Sequence, residues 1–170
     1  DVTSLTVTGS TALTITNAIA NATALATVDA SAMTKAVSIN ASNSAVALTF
    51  TGGSGGDTLT SGSGNDTLTG GSGNDVLSSG NGTNTITGGA GDNTLTGGTG
   101  VDTITSGDGA DTIDSAAGND TITSGGGNDT LTFDTDGDLN KNDTVDAGAG
   151  TDAAAITIST ALADPFTLTN

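Results

Sequence analysis

The 170-residue sequence has no cysteine, histidine, arginine, glutamate, tryptophan or tyrosine, and only one proline and three phenylalanines. Without Cys there is no disulfide and no thiolate site. Without His or Cys, zinc, copper and haem lack their usual ligands, which leaves hard, oxygen-preferring cations. The common nucleophile–base pairs cannot be assembled, so the chain is expected not to be an enzyme. Basic residues are almost missing too. Lys35 and Lys141 cannot neutralise a phosphate backbone, which argues against nucleic acid as a partner. No apolar run approaches the roughly 18–20 residues that span a bilayer, so no transmembrane segment is expected. The chain opens at Asp1 with neither Met nor a leader pattern, and reads as a processed or excised segment.

What is present argues at first against folding. Nineteen residues are acidic, all of them Asp, for a formal net charge of −17. Leu, Ile, Val and Phe make up 19 % of the chain. Below about 20 % of those residues, with high net charge, chains are usually disordered. Any fold must come from pattern or from a ligand.

The pattern is strong. Residues 52–132 divide without a gap into nine nonapeptides, from GGSGGDTLT and SGSGNDTLT to SGGGNDTLT. Position four is always Gly and position eight always Leu or Ile. Position six is Asp57, Asp66, Asp75, Asn84, Asn93, Asp102, Asp111, Asp120 and Asp129 in turn. A flexible linker has no reason to hold a branched apolar residue at one phase nine times running.

Each repeat carries its own local physics. Positions seven to nine, mostly Thr–Leu/Ile–Thr, form a short strand with one apolar side chain pointing inward. The glycine-rich first half turns the chain at low steric cost. One strand plus one turn is half a coil, so two nonapeptides make an 18-residue coil with a strand on each side. Coils stack as parallel strands about 4.8 Å apart around a thin Leu/Ile core. The fold class is therefore all-β, a right-handed parallel β-solenoid. Stacking also places each position-six Asp beside the one two repeats on. Two carboxylates about 5 Å apart repel by roughly 1 kcal/mol in water and roughly 3–4 kcal/mol at an effective dielectric of 20. A cation between the turns is needed, and without it the roll is expected to be unfolded or molten.

The repeat GGxGxDxUx resembles the RTX nonapeptide, a calcium-binding β-helix signature, over residues 52–132. That resemblance implies a calcium β-roll in which Ca²⁺ lies between stacked turns, held by position-six carboxylates and glycine-loop carbonyls. Carried over to this chain, it implies two metal columns. Asp57, Asp75, Asn93, Asp111 and Asp129 form one; Asp66, Asn84, Asp102 and Asp120 form the other. One ion per pair of stacked turns gives about seven Ca²⁺. At Asn84 and Asn93 an amide oxygen can ligate but brings no charge, so weaker sites are expected in mid-roll. Asp92 is a possible compensating acid whose side chain is expected to face solvent. Asp108 and Asp114 lie off phase and read as solvated charges. The eighth repeat, with Ala116 and Ala117 in its turn, has the least regular loop.

The flanks differ in texture. Residues 1–51 carry looser period-two fragments (Leu5–Val7, Leu13–Ile15, Val37–Ile39, Val46–Phe50) and read as metal-free solenoid coils running into the roll. A short helix across Ala18–Ala26 is a weaker reading. In residues 133–170 an acidic loop, Phe133–Asp143, is either an irregular metal site or a solvated loop; it lacks the EF-hand Gly and terminal Glu. A degenerate tenth turn, Ala147–Asp152, then leads to closing strands at 155–159 and 166–168. Phe50, Phe133 and Phe166 are expected to plug the junctions.

The resemblance implies an exported protein that is unfolded in a calcium-poor cytoplasm, leaves by type I secretion and folds outside. With its Thr/Ala/Ser/Asn/Gly composition, the chain looks like a segment of an RTX-containing bacterial surface-layer (S-layer) protein or surface filament. On that reading it self-associates into a lattice at the cell surface through bound calcium. Two alternatives stay open: part of a large RTX adhesin binding ice or sugar, or the C-terminal roll of a secreted enzyme.

Overall fold

The computed structural model describes residues 3–16, 25–133, 139–140 and 142–156. Among the described residues, sixteen strands alternate between two eight-stranded sheets. The first sheet holds β1 (Ser4–Gly9), β3 (Thr27–Met33), β5 (Thr49–Thr51), β7 (Thr67–Ser72), β9 (Thr85–Ala90), β11 (Thr103–Asp108), β13 (Thr121–Gly126) and β15 (Thr144–Asp146). The second holds β2 (Leu13–Thr16), β4 (Val37–Asn40), β6 (Thr58–Thr60), β8 (Val76–Ser78), β10 (Thr94–Gly100), β12 (Thr112–Gly118), β14 (Thr130–Phe133) and β16 (Ala153–Ile156). Neighbours in each sheet are parallel and two strands apart in sequence, which is the connectivity of a parallel β-solenoid. Among the described residues there is no helix, and so none long and apolar enough to cross a membrane.

The strands arise where the nonapeptide phase places them. β-Branched Thr flanks nearly every position-eight Leu or Ile (Leu77 lies between Val76 and Ser78) and favours the extended backbone. Period two then sends the central side chain inward and its neighbours out. Leu59, Leu68, Leu77, Ile86, Leu95 and Ile104 are fully buried, and the core continues through Ile113, Ile122 and Leu131. Successive coils are in strict register, as in Thr103↔Thr121, Ile104↔Ile122 and Thr105↔Thr123.

Both sheets continue without a break into the N-terminal coils. Ser4 pairs with Thr27 and Thr27 with Thr49; Leu13 pairs with Val37 and Ser38 with Thr58. These coils are longer than those of the nonapeptides, and β1 and β3 meet with a register shift between Thr6 and Thr8. Phe50 is a regular rung of the core rather than a junction plug. It is fully buried and sits in register between Val28 and Leu68, because the sheet extends past it on both sides. Phe133 is buried at the end of β14, paired with Ile156. The suggested helix at Ala18–Ala26 and most of the acidic loop fall largely outside the described residues. So do Phe166 and nearly all of the expected closing strands; of these, Ala155 and Ile156 belong to β16.

Candidate metal columns

Stacking at eighteen residues brings the nine position-six side chains together along the two edges where the chain passes from sheet to sheet. All nine are buried, with exposures of 0–2 %. Seven of them point Oδ1 at the backbone N–H of the position-six residue one coil earlier. On one edge, Asp57 N–H donates to Asp75 Oδ1 at 2.7 Å, Asp75 to Asn93 at 3.0 Å, Asn93 to Asp111 at 2.7 Å and Asp111 to Asp129 at 2.9 Å. On the other, Asp66 donates to Asn84, Asn84 to Asp102 and Asp102 to Asp120, each at 2.9 Å. A buried backbone N–H must find an acceptor, and here one side-chain oxygen per coil supplies it.

Both ladders reach beyond the nine repeats. Val37 donates to Asp57 Oδ1 and Leu48 to Asp66 Oδ1, which ties the columns to the N-terminal coils. At the far end Asp120 donates to Asp143 and Asp129 to Asp152, each across 23 residues instead of 18. The longer last coil is thus absorbed as a loop, and Asp143 and Asp152 rejoin the columns. Neither was picked out from sequence as a column residue. The signal was present in Asn142–Asp143–Thr144–Val145, which repeats the x-D-x-U phase after the break.

The second oxygen of each carboxylate is the chemically unusual atom. Oδ2 of Asp66, Asp75, Asp102, Asp111, Asp120 and Asp129 is buried without any hydrogen-bond partner. Asp57 differs, since its Oδ2 accepts the Gly53 N–H at 2.7 Å. An unpaired buried carboxylate oxygen is costly. Burial accordingly pushes the carboxyls of Asp75 and Asp120 up to about 6, with the like charges of Asp57 and of Asp102 and Asp143 adding to it. Burial likewise raises Asp102. Lys35 is exposed and is not a hydrogen-bond partner of any of these six oxygens.

Carbonyl oxygens face the same spaces. A Cβ placed on Gly70 would lie 2.3 Å from Asp75 Oδ2 and 2.6 Å from the Gly88 carbonyl; on Gly97 it would lie 2.7 Å from both Asp102 Oδ2 and the Ser115 carbonyl. At position one, the hydroxyls of Ser61, Ser79, Ser106 and Ser124 donate to a carbonyl one coil on, as Ser79 does to Gly97 at 2.7 Å and Ser106 to Ser124 at 2.6 Å, whereas the Ser115 hydroxyl is buried without a partner. Among the described residues no three carboxylates gather at one point. The donor set is instead one free carboxylate oxygen at each of six Asp levels, with a carbonyl shown beside it at Asp75 and Asp102. All are hard oxygen donors, which suits Ca²⁺.

The off-phase acids stand apart from the columns. Asp108 is exposed, and Asp114 is half-buried with its Oδ1 accepting the Ala116 N–H at 3.0 Å. Asp92 is exposed and belongs to an outer position-five ladder, where Asn74 Oδ1 accepts from Asp92 N–H and Asp92 Oδ1 from Ala110 N–H.

No curated protein and no solved structure shows significant similarity to the chain. The pattern of the RTX calcium-binding nonapeptide repeat (4 copies) matches residues 51–86, 78–113, 87–122, 105–139 and 140–153. Those matches run from before the first nonapeptide through Asp143 and Asp152, and the chain belongs to the RTX calcium-binding repeat family.

Proposed function

We propose that this chain is a calcium-dependent structural segment of a secreted bacterial surface protein, an S-layer or surface filament, that folds and assembles on meeting extracellular Ca²⁺. The observation that carries the calcium reading is the set of buried, unpartnered Oδ2 atoms along both columns. Asp66, Asp75, Asp102, Asp111, Asp120 and Asp129 would hold the ions with the carbonyls beside them. Bound Ca²⁺ supplies the positive charge that the −17 chain lacks. Sites of the extracellular class, binding at about 10⁻⁴–10⁻³ M, keep the chain unfolded during type I export and fold it outside. Residues 1–51 serve as the metal-free lead-in, 52–132 as the calcium roll, and 133–170 as its closure.

Circular dichroism across a calcium titration, followed by electron microscopy of the loaded protein, tests this directly. Calcium-induced β-structure with ordered sheets or filaments is expected. Full β-structure in excess chelator would refute metal-gated folding, and dispersed monomers would refute the lattice.

A second reading is supported by the first sheet. One outward rank is threonine in every coil from Thr27 to Thr144, and a parallel rank runs from Thr51 to Thr123. The second sheet is broken by Val76, Ser78 and Asp114. A regular threonine face suits an adhesin that binds an ordered surface such as ice. Inhibition of ice recrystallisation at low protein concentration, dependent on Ca²⁺, would favour it.

A further inference from the structure

We propose that Asn84 and Asn93 are metal-free rungs that interrupt both columns at adjoining levels of the roll and split its calcium sites into two groups. Asp66 and Asp75 form the first group; Asp102, Asp111, Asp120 and Asp129 form the second. This rests on the reading that the unpartnered Oδ2 atoms bind Ca²⁺.

The reason lies in how the ladder orients an amide. Asp66 N–H reaches Asn84 Oδ1 at 2.9 Å and Asp75 N–H reaches Asn93 Oδ1 at 3.0 Å. Turning either amide over would set an NH₂ against a backbone N–H, donor against donor, so the ladder holds the oxygen inward. The atom left in the place of Oδ2 is therefore Nδ2. A Cβ on Gly88 would meet Asn93 Nδ2 at 2.8 Å and the Ser106 carbonyl at 2.5 Å, the counterpart of Asp75 Oδ2 and the Gly88 carbonyl one coil earlier. An amide NH₂ donates two hydrogen bonds and has no lone pair for a cation.

The amide also satisfies its surroundings without an ion. Asn93 Nδ2 donates to the Gly91 carbonyl at 2.9 Å and lies 3.5 Å from the Ser106 carbonyl; Asn84 Nδ2 lies 3.5 Å from the Gly80 carbonyl. Neither nitrogen is an unpaired buried group, in contrast to the six carboxylate oxygens. Asp92 does not compensate, because its Oδ1 is committed to Ala110 N–H at 2.8 Å on the exposed side. Calcium in mid-roll is thus not weakened but excluded, and the ceiling from the unpartnered oxygens is six ions. Asp75 keeps its own site, since the neighbouring Gly88 carbonyl comes from the backbone and is unaffected by Asn93.

Native mass spectrometry of the full chain in Ca²⁺ and the anomalous map of a calcium-loaded crystal test this together. Wild type is expected to hold up to six ions, with peaks beside the six Asp and none beside Asn84 or Asn93. N84D/N93D is expected to bind two more and to need more calcium to fold. Peaks at the Asn levels, or unchanged stoichiometry in a folded double variant, would overturn the inference. If the variant does not fold, the wild-type map alone decides. The underlying reading fails differently: wild type would bind no calcium, or folded D111N/D129N would lose none.

Discussion

The backbone N–H of Asp111 donates to Oδ1 of Asp129, eighteen residues on, at 2.9 Å, while Oδ2 of Asp129 stays buried without a partner. One carboxylate thus performs two separable tasks. Asp129→Asn keeps the ladder oxygen and replaces only the free one, so it should lose one bound ion and raise the calcium midpoint. Asp129→Ala also strands the Asp111 N–H, which adds about 1–3 kcal/mol of destabilisation. Urea denaturation at saturating calcium, paired with ion counting by native mass spectrometry, separates the two effects. Equal stability of the Asn and Ala variants would show that the ladder contributes nothing.

Acidification should stabilise the calcium-free protein. Burial holds the carboxyls of Asp75 and Asp120 at about 6 in the folded chain, whereas unfolded Asp titrates near about 3.9. Between those values the folded state binds more protons than the unfolded one. Stability is therefore highest below the unfolded value and falls as pH rises through about 6. Chelator-treated protein should gain β-sheet ellipticity between pH 7.5 and pH 5, and calcium binding near pH 6 should release protons into a weakly buffered solution. Loss of β-structure over that interval would contradict the assignment.

Gly98 and Ala116 share one stacked turn position and predict opposite outcomes. Gly98 has φ +115°, and a Cβ there would lie 2.0 Å from the Gly80 carbonyl. Gly98→Ala should cost at least about 2 kcal/mol, combining the left-handed penalty with that clash. Its register partner Ala116 already sits at φ 57°. Ala116→Gly relieves a strained residue and should be neutral or stabilising by up to about 1 kcal/mol. Thermal melts at saturating calcium distinguish the two.

The core should report on metal binding. Ile104 is fully buried, in register with Ile86 and Ile122. Ile104→Ala is expected to cost about 2–5 kcal/mol. Because folding and ion binding are coupled, the same change should shift the calcium midpoint upward without removing a site. An unchanged midpoint in calcium-monitored circular dichroism would mean that the two are not linked.

The nonapeptide phase alone determined the solenoid, its strands, its core positions and the two lines of buried Asp and Asn. A nine-residue period with one apolar and one acidic position has few other ways to bury the first and align the second. Tertiary structure decided matters that depend on neighbours eighteen or more residues away. It showed that Oδ1 is committed to the backbone, which leaves Oδ2 free at six of the seven column Asp within the repeats. It showed that Asn84 and Asn93 give their oxygen to the ladder, and that Asn93 turns its nitrogen to where Asp75 holds Oδ2. It also returned Asp143 and Asp152 to the columns after the period had broken. Register in a stacked sheet is held by the backbone ladder and not by loop length, so a longer coil can lose the sequence phase and keep the spatial one.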